Sequence, residues 1–269
     1  MKFEDVNNND ISRANSVEEA ISIKREKDKN NTFEVDITKL PSKGKIYPEG
    51  IRIYGRRLKP SMLNKLSTMT AENMELVANE VLSYSISGID YREIGVGDKW
   101  YLIYWLRDIS YKGRPFKIGK YCDSCKRNIV HDYYFKDLNV MYLSEEFEKV
   151  VNLDVSGDTI LIDLPRIKNE FVANSLKKDE IASKFDESII NLSINIGSVN
   201  GKELTPLEKC EYIEELDPVD YSILMNKLGE ITIYGITFTT KFDCECGEKL
   251  EAFVPLNSSF FLPKIIWVQ

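Results

Sequence analysis

Two stretches of the chain carry the same apolar stripe. Leu102, Leu106 and Ile109 follow one another at spacings of four and three, and so do Leu224, Leu228 and Ile231. That spacing sets each trio on one face of an α-helix. The agreement extends beyond the stripes. With an offset of 122, residues 93–122 lie over residues 215–244 without a gap and agree at eight of thirty positions. The matched pairs are Glu93/Glu215, Asp98/Asp220, Leu102/Leu224, Leu106/Leu228, Ile109/Ile231, Gly113/Gly235, Phe116/Phe238 and Cys122/Cys244. About two agreements are expected from composition alone, so the pattern reads as an internal repeat.

Each copy has the same physical sense. Asp98 or Asp220 stands in the first helical turn, where a negative charge favours the free N–H groups and the dipole. Asp217–Pro218 supplies a cap and a proline at the first helical position. Gly113 or Gly235 permits the turn that follows. A strand then runs to the first cysteine of a close pair, and strand-like runs resume at 128–138 and 249–256. The predicted fold class is α+β and internally duplicated. Two helix–strand–cysteine-knuckle–strand units, related by a pseudo-twofold, would bring their knuckles face to face.

The rest of the chain frames these units. Residues 1–34 are rich in Asn, Asp, Glu and Lys and read as a polar N-terminal arm, with order beginning near Phe33. Ser16 and Glu19 form a capping box, so 16–27 is read either as a short docking helix or as a solvated arm. Residues 40–50 carry Pro41, Gly44, Pro48 and Gly50, which signals turns. Residues 52–59 alternate as a strand does. Residues 70–86 read as a helix capped by Thr70, with Met74, Val77 and Val81 on one face. The expected organisation is an arm (1–34), a first half (35–150) and a second half (151–269). Near the end, Phe260 and Phe261 are expected to pack, while the final Ile-Ile-Trp-Val has two readings: a last strand or a partner surface.

Composition narrows the function. The 269 residues are 43% hydrophobic and 29% charged, with a net charge of −7. That balance disfavours a protein devoted to a phosphate backbone. Basic clusters at 52–59 and 111–120 read as solvated surface. No window is apolar enough for a membrane helix, and the N-terminus lacks the apolar core of a secretory signal. A cytoplasm-like, reducing compartment is therefore expected.

In such a compartment, four of five cysteines in tight pairs favour metal over disulfide. Four thiolates delivered by two hairpins suit a closed tetrahedral zinc site of Cys122, Cys125, Cys244 and Cys246. A disulfide or redox pair, or vestigial cysteines, are the alternatives. The second knuckle is the tighter Cys-x-Cys, followed by Gly247, which can take the positive φ such a loop demands. A four-thiolate site has no open position for water, so its expected role is structural. His131, the single histidine, reads as a solvent-facing strand residue, and Cys210 as a core thiol. No glycine-rich phosphate loop and no catalytic constellation is present.

One resemblance covers about residues 38–263. The order is LPSKGKIYPEG, a helix led by Gly97–Asp98, LRDISYKG, a cysteine pair, then LDPVDYSIL, YGI, a second pair and SSFF. This order resembles the baseplate hub family of T-even-type contractile-tail phages, which includes hub subunits and hub assembly proteins. The resemblance implies a virion or assembly protein of the tail baseplate, formed in the host cytoplasm, and not an enzyme. Its implied partners are other hub and wedge proteins, met in several copies within a symmetric assembly. Family members often carry paired cysteines at both places, matched here by Cys122, Cys125, Cys244 and Cys246. The Cys-x-Cys spacing departs from that pattern.

Two other functions compete. A nucleic-acid-binding zinc ribbon needs Arg56, Arg57, Lys112, Arg114, Lys117, Lys120, Lys126 and Arg127 on one face. A thiol oxidoreductase would use Cys122 and Cys125.

Overall fold

The computed structural model describes residues 32–254, 261 and 265–268. Among the described residues the fold is mixed α+β, with several small sheets and seven α-helices. It opens with three antiparallel strands in the order β1 (Thr32–Glu34), β2 (Tyr54–Arg56), β3 (Ile86–Ser87). Helices α1 (Pro60–Ser67) and α2 (Met74–Ser85) fill the connection between β2 and β3. A central helix, α3 (Val96–Ser110), leads into the hairpin of β4 (Phe116–Cys122) and β5 (Arg127–Tyr133), then β6 (Val140–Met141).

The second half opens the same way. Strands β7 (Val150–Asn152), β8 (Thr159–Ile162) and β9 (Ile196–Val199) form an antiparallel sheet in that order. Helices α4 (Ile167–Leu176) and α5 (Glu187–Ser193) fill the connection between β8 and β9. Helices α6 (Pro206–Glu214) and α7 (Pro218–Thr232) follow. The chain then forms β10 (Gly235–Ile236), the hairpin of β11 (Thr239–Asp243) and β12 (Lys249–Phe253), and β13 (Ile265–Val268). Two pairings stitch the halves: β10 runs antiparallel to β6, and β13 parallel to β4.

The leucines of both apolar stripes do what their spacing predicts, and Ile109 is partly buried beside them. Leu102, Leu106, Leu224 and Leu228 are buried in one continuous core. Helix α3 is covered on most sides, and Tyr234 lies so close that a methyl group on Gly97 would stand 2.4 Å from its ring. Asp217 accepts the Val219 N–H at 2.8 Å ahead of Pro218, as expected of a cap.

Asp98 and Asp220 occupy the predicted first turns but serve more than the helix dipole. Asp98 is fully buried and accepts the Ser42 N–H (2.8 Å), the Ser42 hydroxyl (2.6 Å) and the Tyr47 hydroxyl (2.7 Å). Asp220, also buried, accepts the N–H groups of Val155 (2.9 Å) and Ser156 (2.8 Å). Each carboxylate thus pins a loop that begins Leu–x–x–x–Gly, at Leu40 and at Leu153. Burial pushes Asp98 up to about 6, despite its three donors. Burial acts on Asp220 in the same sense, but its backbone N–H donors prevail and hold it below the ordinary value.

Other expectations are corrected. The helix read over 70–86 begins at Met74. Thr70 is not its cap but donates its N–H to Asn73 Oδ1 at 2.7 Å, across a turn. The strand read over 52–59 shrinks to Tyr54–Arg56. Residues 32–34, assigned to the arm, form β1 against β2, so the core begins there. The rest of that arm, including the helix read over 16–27, lies outside the described residues, as does Phe260. Phe261 is fully buried, and its carbonyl accepts the Tyr111 hydroxyl. The final segment forms β13.

Candidate metal centre

Both cysteine pairs sit at hairpin turns, where the strand pattern stops and the backbone reverses. In the first, Lys126 N–H donates to the Cys122 carbonyl (2.8 Å) and Lys126 takes a φ of 59°. In the second, Gly247 N–H donates to the Cys244 carbonyl (2.8 Å), with φ of 91° at Gly247. The residue after each second cysteine is thus left-handed. Glycine meets that demand without strain, and lysine meets it at a cost.

The turns face each other across the molecule. The four sulfurs of Cys122, Cys125, Cys244 and Cys246 all lie within 4.8 Å of one another, and none is in a disulfide. Cys122 Sγ is 3.7 Å from Cys246 Sγ, and Cys125 Sγ is 3.6 Å from Cys244 Sγ. A tetrahedron of sulfurs about 2.3 Å from a central ion has edges of about 3.8 Å, so these separations suit a metal ion. The pairing crosses over, the first cysteine of one knuckle meeting the second of the other. Cys122 and Cys244 are buried, while Cys246 reaches the surface.

Charge in the cluster is uneven. Arg127, hydrogen-bonded to Cys125, brings that thiol down to about 6. At Cys244 the Cys246 N–H favours the thiolate, but burial and the neighbouring sulfurs push the group up to about 12. Four thiolates so close together cannot all ionise without a compensating cation. Outside the sulfurs, two polar contacts fasten the turns: Ser124 Oγ donates to Glu248 Oε2 (2.8 Å), and Arg127 pairs with Glu245 (3.2 Å). Sequence reading missed these supports. Exposed charged and hydroxyl residues beside a knuckle look like ordinary surface until the second knuckle is placed.

The other singled-out residues lie apart from the sulfurs. Cys210 is fully buried on α6, as expected of a core thiol. His131 is not simply solvent-facing: its ring stacks on Phe242, with centroids 4.7 Å apart and planes within 3°. It thereby packs one hairpin on the other. Among the described residues, no other group of three or more Cys, His, Asp or Glu is placed to share an ion.

At least half of the residues required by a nucleic-acid face are engaged internally. Arg56 Nε donates to the Tyr84 carbonyl (2.7 Å) and Arg57 Nε to the Ile109 carbonyl (3.0 Å), while Lys117 pairs with Asp132 (2.9 Å) and Arg127 with Glu245. Among the described residues, no helix is long and apolar enough to cross a membrane.

No curated protein and no solved structure is similar enough to the chain to count as a match. A family model does match, over residues 32–262, which spans both loops pinned by aspartate, both knuckles and nearly all of the described fold. On that match the chain belongs to the family described as T4 bacteriophage base plate protein.

Proposed function

We propose that the chain is a non-catalytic structural or assembly component of the hub region of a contractile-tail baseplate, closed by a structural zinc ion. Family membership supports the baseplate setting. The observation that carries the clamp is the convergence of four thiols from two distant hairpins. Cys122, Cys125, Cys244 and Cys246 would hold the ion, and tetrahedral thiolate coordination is the preference of Zn²⁺. The ion would supply cross-linking rather than chemistry, because four protein ligands leave no site for water or substrate.

The same reading makes the two halves, 35–150 and 151–269, products of an internal duplication related by a pseudo-twofold. Three observations support it. With β1 counted in the first half and the whole of β7 in the second, each half presents three antiparallel strands in sequential order, with two helices between the second and third. Helices α3 and α7 are both 15 residues long, and both their ends are offset by 122. The crossed sulfur pairing is what a twofold between the knuckles would produce.

As a hub component the protein would bind hub and wedge proteins in several copies, assemble in the host cytoplasm and reside in the virion tail. A nucleic-acid-binding ribbon is the less favoured function, given the net charge of −7 and the internal engagement of Arg56, Arg57, Lys117 and Arg127. Native mass spectrometry before and after chelation tests the clamp. One zinc per chain, lost together with the folded charge-state distribution, is expected; a metal-free chain with four free thiols and an intact fold would overturn it. Labelling the chain in assembled tails tests the hub. Density on the tail axis is expected, and density confined to the baseplate periphery rejects the hub assignment.

A further inference from the structure

A groove of about 410 Å³ runs between α2 and α4, lined by the acids Glu72, Glu75 and Glu170 against one lysine, Lys177, which is paired with Glu187. Asn79 lines it at 6% exposure, and its Oδ1 has no hydrogen-bond partner among the described residues; nor has Glu170 Oε2. The other oxygen of Glu170 lies 2.6 Å from Lys99 Nζ, but that fully buried ammonium is shared with Glu75. Glu72 adds a further acid at the edge. The rim, by contrast, is apolar: Leu76 is 67% exposed and Phe171 42%. The groove therefore fits a segment that presents an apolar stripe ending in a cation.

One such segment lies within the chain itself. In SVEEAISIKREK (16–27), Val17, Ala20, Ile21 and Lys24 follow the spacing of one helical face, apolar for three positions and cationic at the fourth. Arg25 and Lys27 reinforce its basic end. We propose that residues 16–27 dock in this groove of their own chain, with Val17 and Ile21 on Leu76 and Phe171, and Lys24 beside the carboxylates of Glu72 and Glu170.

The reach is sufficient. The described chain begins at Thr32 in β1, two strands from β3, which directly follows α2. Crossing two strand spacings takes about 10 Å, and the run along α2 from Ser85 to Leu76 about 15 Å. With 16–27 helical, the six steps from Ile21 to Lys27 give about 9 Å and the five extended residues to Thr32 about 17 Å, about 26 Å in all, enough for two legs that run at right angles.

Amide hydrogen exchange on the full chain tests this. Amides 17–25 should exchange at least about tenfold more slowly than in an unstructured peptide. That protection should vanish in Ile21→Asp and in Leu76→Asp, while α3 amides stay protected as the control for folding. Phe171→Asp provides a second rim variant. Unprotected amides in the parent chain, or protection that survives both rim variants, overturn the proposal. Zero-length carbodiimide coupling in a mixture of light and heavy isotope-labelled chains distinguishes the occupant. Lys24 should couple to Glu72 or Glu170 within one chain, whereas mixed-isotope products would assign the groove to a neighbouring copy and defeat the own-chain assignment.

Discussion

The two halves solve one problem with different chemistry. In each, a buried aspartate at the start of the long helix pins a loop from the opening sheet. Asp98 does so with one backbone N–H and two hydroxyls, Asp220 with two backbone N–H groups. Asp98 rises to about 6, and Asp220 falls below its ordinary value. At Asp98 burial outweighs all three donors, whereas at Asp220 the donors, the Val155 and Ser156 N–H groups foremost, outweigh burial. A rigid N–H cannot turn away from an oxygen, whereas a hydroxyl can also accept a proton from a neutral carboxyl group. The same crossover of design appears at the knuckles, where one turn spans two residues between cysteines and the other spans one.

The largest test asks whether the halves are tied by metal or merely packed. Cys122 is buried and Cys246 exposed. If the cysteines only pack, Cys122→Ser costs stability and Cys246→Ser does not. With a metal clamp both variants lose the ion, and both forfeit much of the ~10 kcal/mol that a structural zinc contributes. That is as large as the net stability of many domains. Equal, severe losses in urea midpoint are expected for the two variants, together with insensitivity of each to chelator. A near-neutral Cys246→Ser breaks the clamp.

Next in size is the pH dependence of the aspartates. Asp98 has a folded value above its unfolded one, so the folded state binds the extra proton. Its contribution is fully favourable below about 4 and is lost as pH rises to about 6. The swing is about 3 kcal/mol. Asp220 has the opposite sign: its contribution is present above the ordinary carboxylate value and is lost as pH falls below it. Asp98→Asn should therefore remove a decline in stability between pH 4 and 6, and Asp220→Asn should remove an acid-side loss. Urea titrations across pH 3–7 read both. Identical pH profiles for the two variants would erase the contrast drawn between the halves.

A third test separates the helices that carry these aspartates. By the 122 offset, Gly97 corresponds to Val219. Tyr234 presses on Gly97, with its carbonyl oxygen 2.7 Å from where a methyl would stand, whereas Val219 is 53% exposed. Gly97→Ala should cost about 2 kcal/mol through overpacking, despite the better helix propensity of alanine. Val219→Ala should be neutral within about 0.5 kcal/mol. Thermal unfolding of the two single variants measures the difference.

This asymmetry also marks what was legible in the sequence. The paired helices, the hairpins and the four cysteines could be read because they rest on local periodicity and on an offset that aligns them. The depth of burial of Asp98 could not. Its partners Ser42 and Tyr47 lie more than fifty residues earlier, and nothing local distinguishes a capping aspartate from one that pins a distant loop. Thr70 looked like a cap because it precedes an apolar run, but Asn73 captures its N–H and delays the helix to Met74. The strand at 52–59 was overextended because alternation does not reveal where a ladder partner ends. Ser124, Arg127, Glu245 and Glu248 were invisible as supports, since each acquires meaning only when the knuckles meet.

The smallest effect concerns the knuckle turns. Gly247 and Lys126 hold corresponding left-handed positions, one with a residue that adopts positive φ freely and one with a residue that does not. Gly247→Ala should cost about 1 kcal/mol, because the side chain meets no neighbour within 4 Å and only the backbone conformation resists it. Lys126→Gly should relieve a comparable local cost, offset in part by the greater freedom that glycine gives the unfolded chain, for a gain of about 0.5 kcal/mol. The sign difference is the informative quantity. Two losses would mean that Lys126 contributes through its charge beside the thiolate cluster, and repeating the measurement in high salt would then shrink the Lys126 effect while leaving that of Gly247 unchanged.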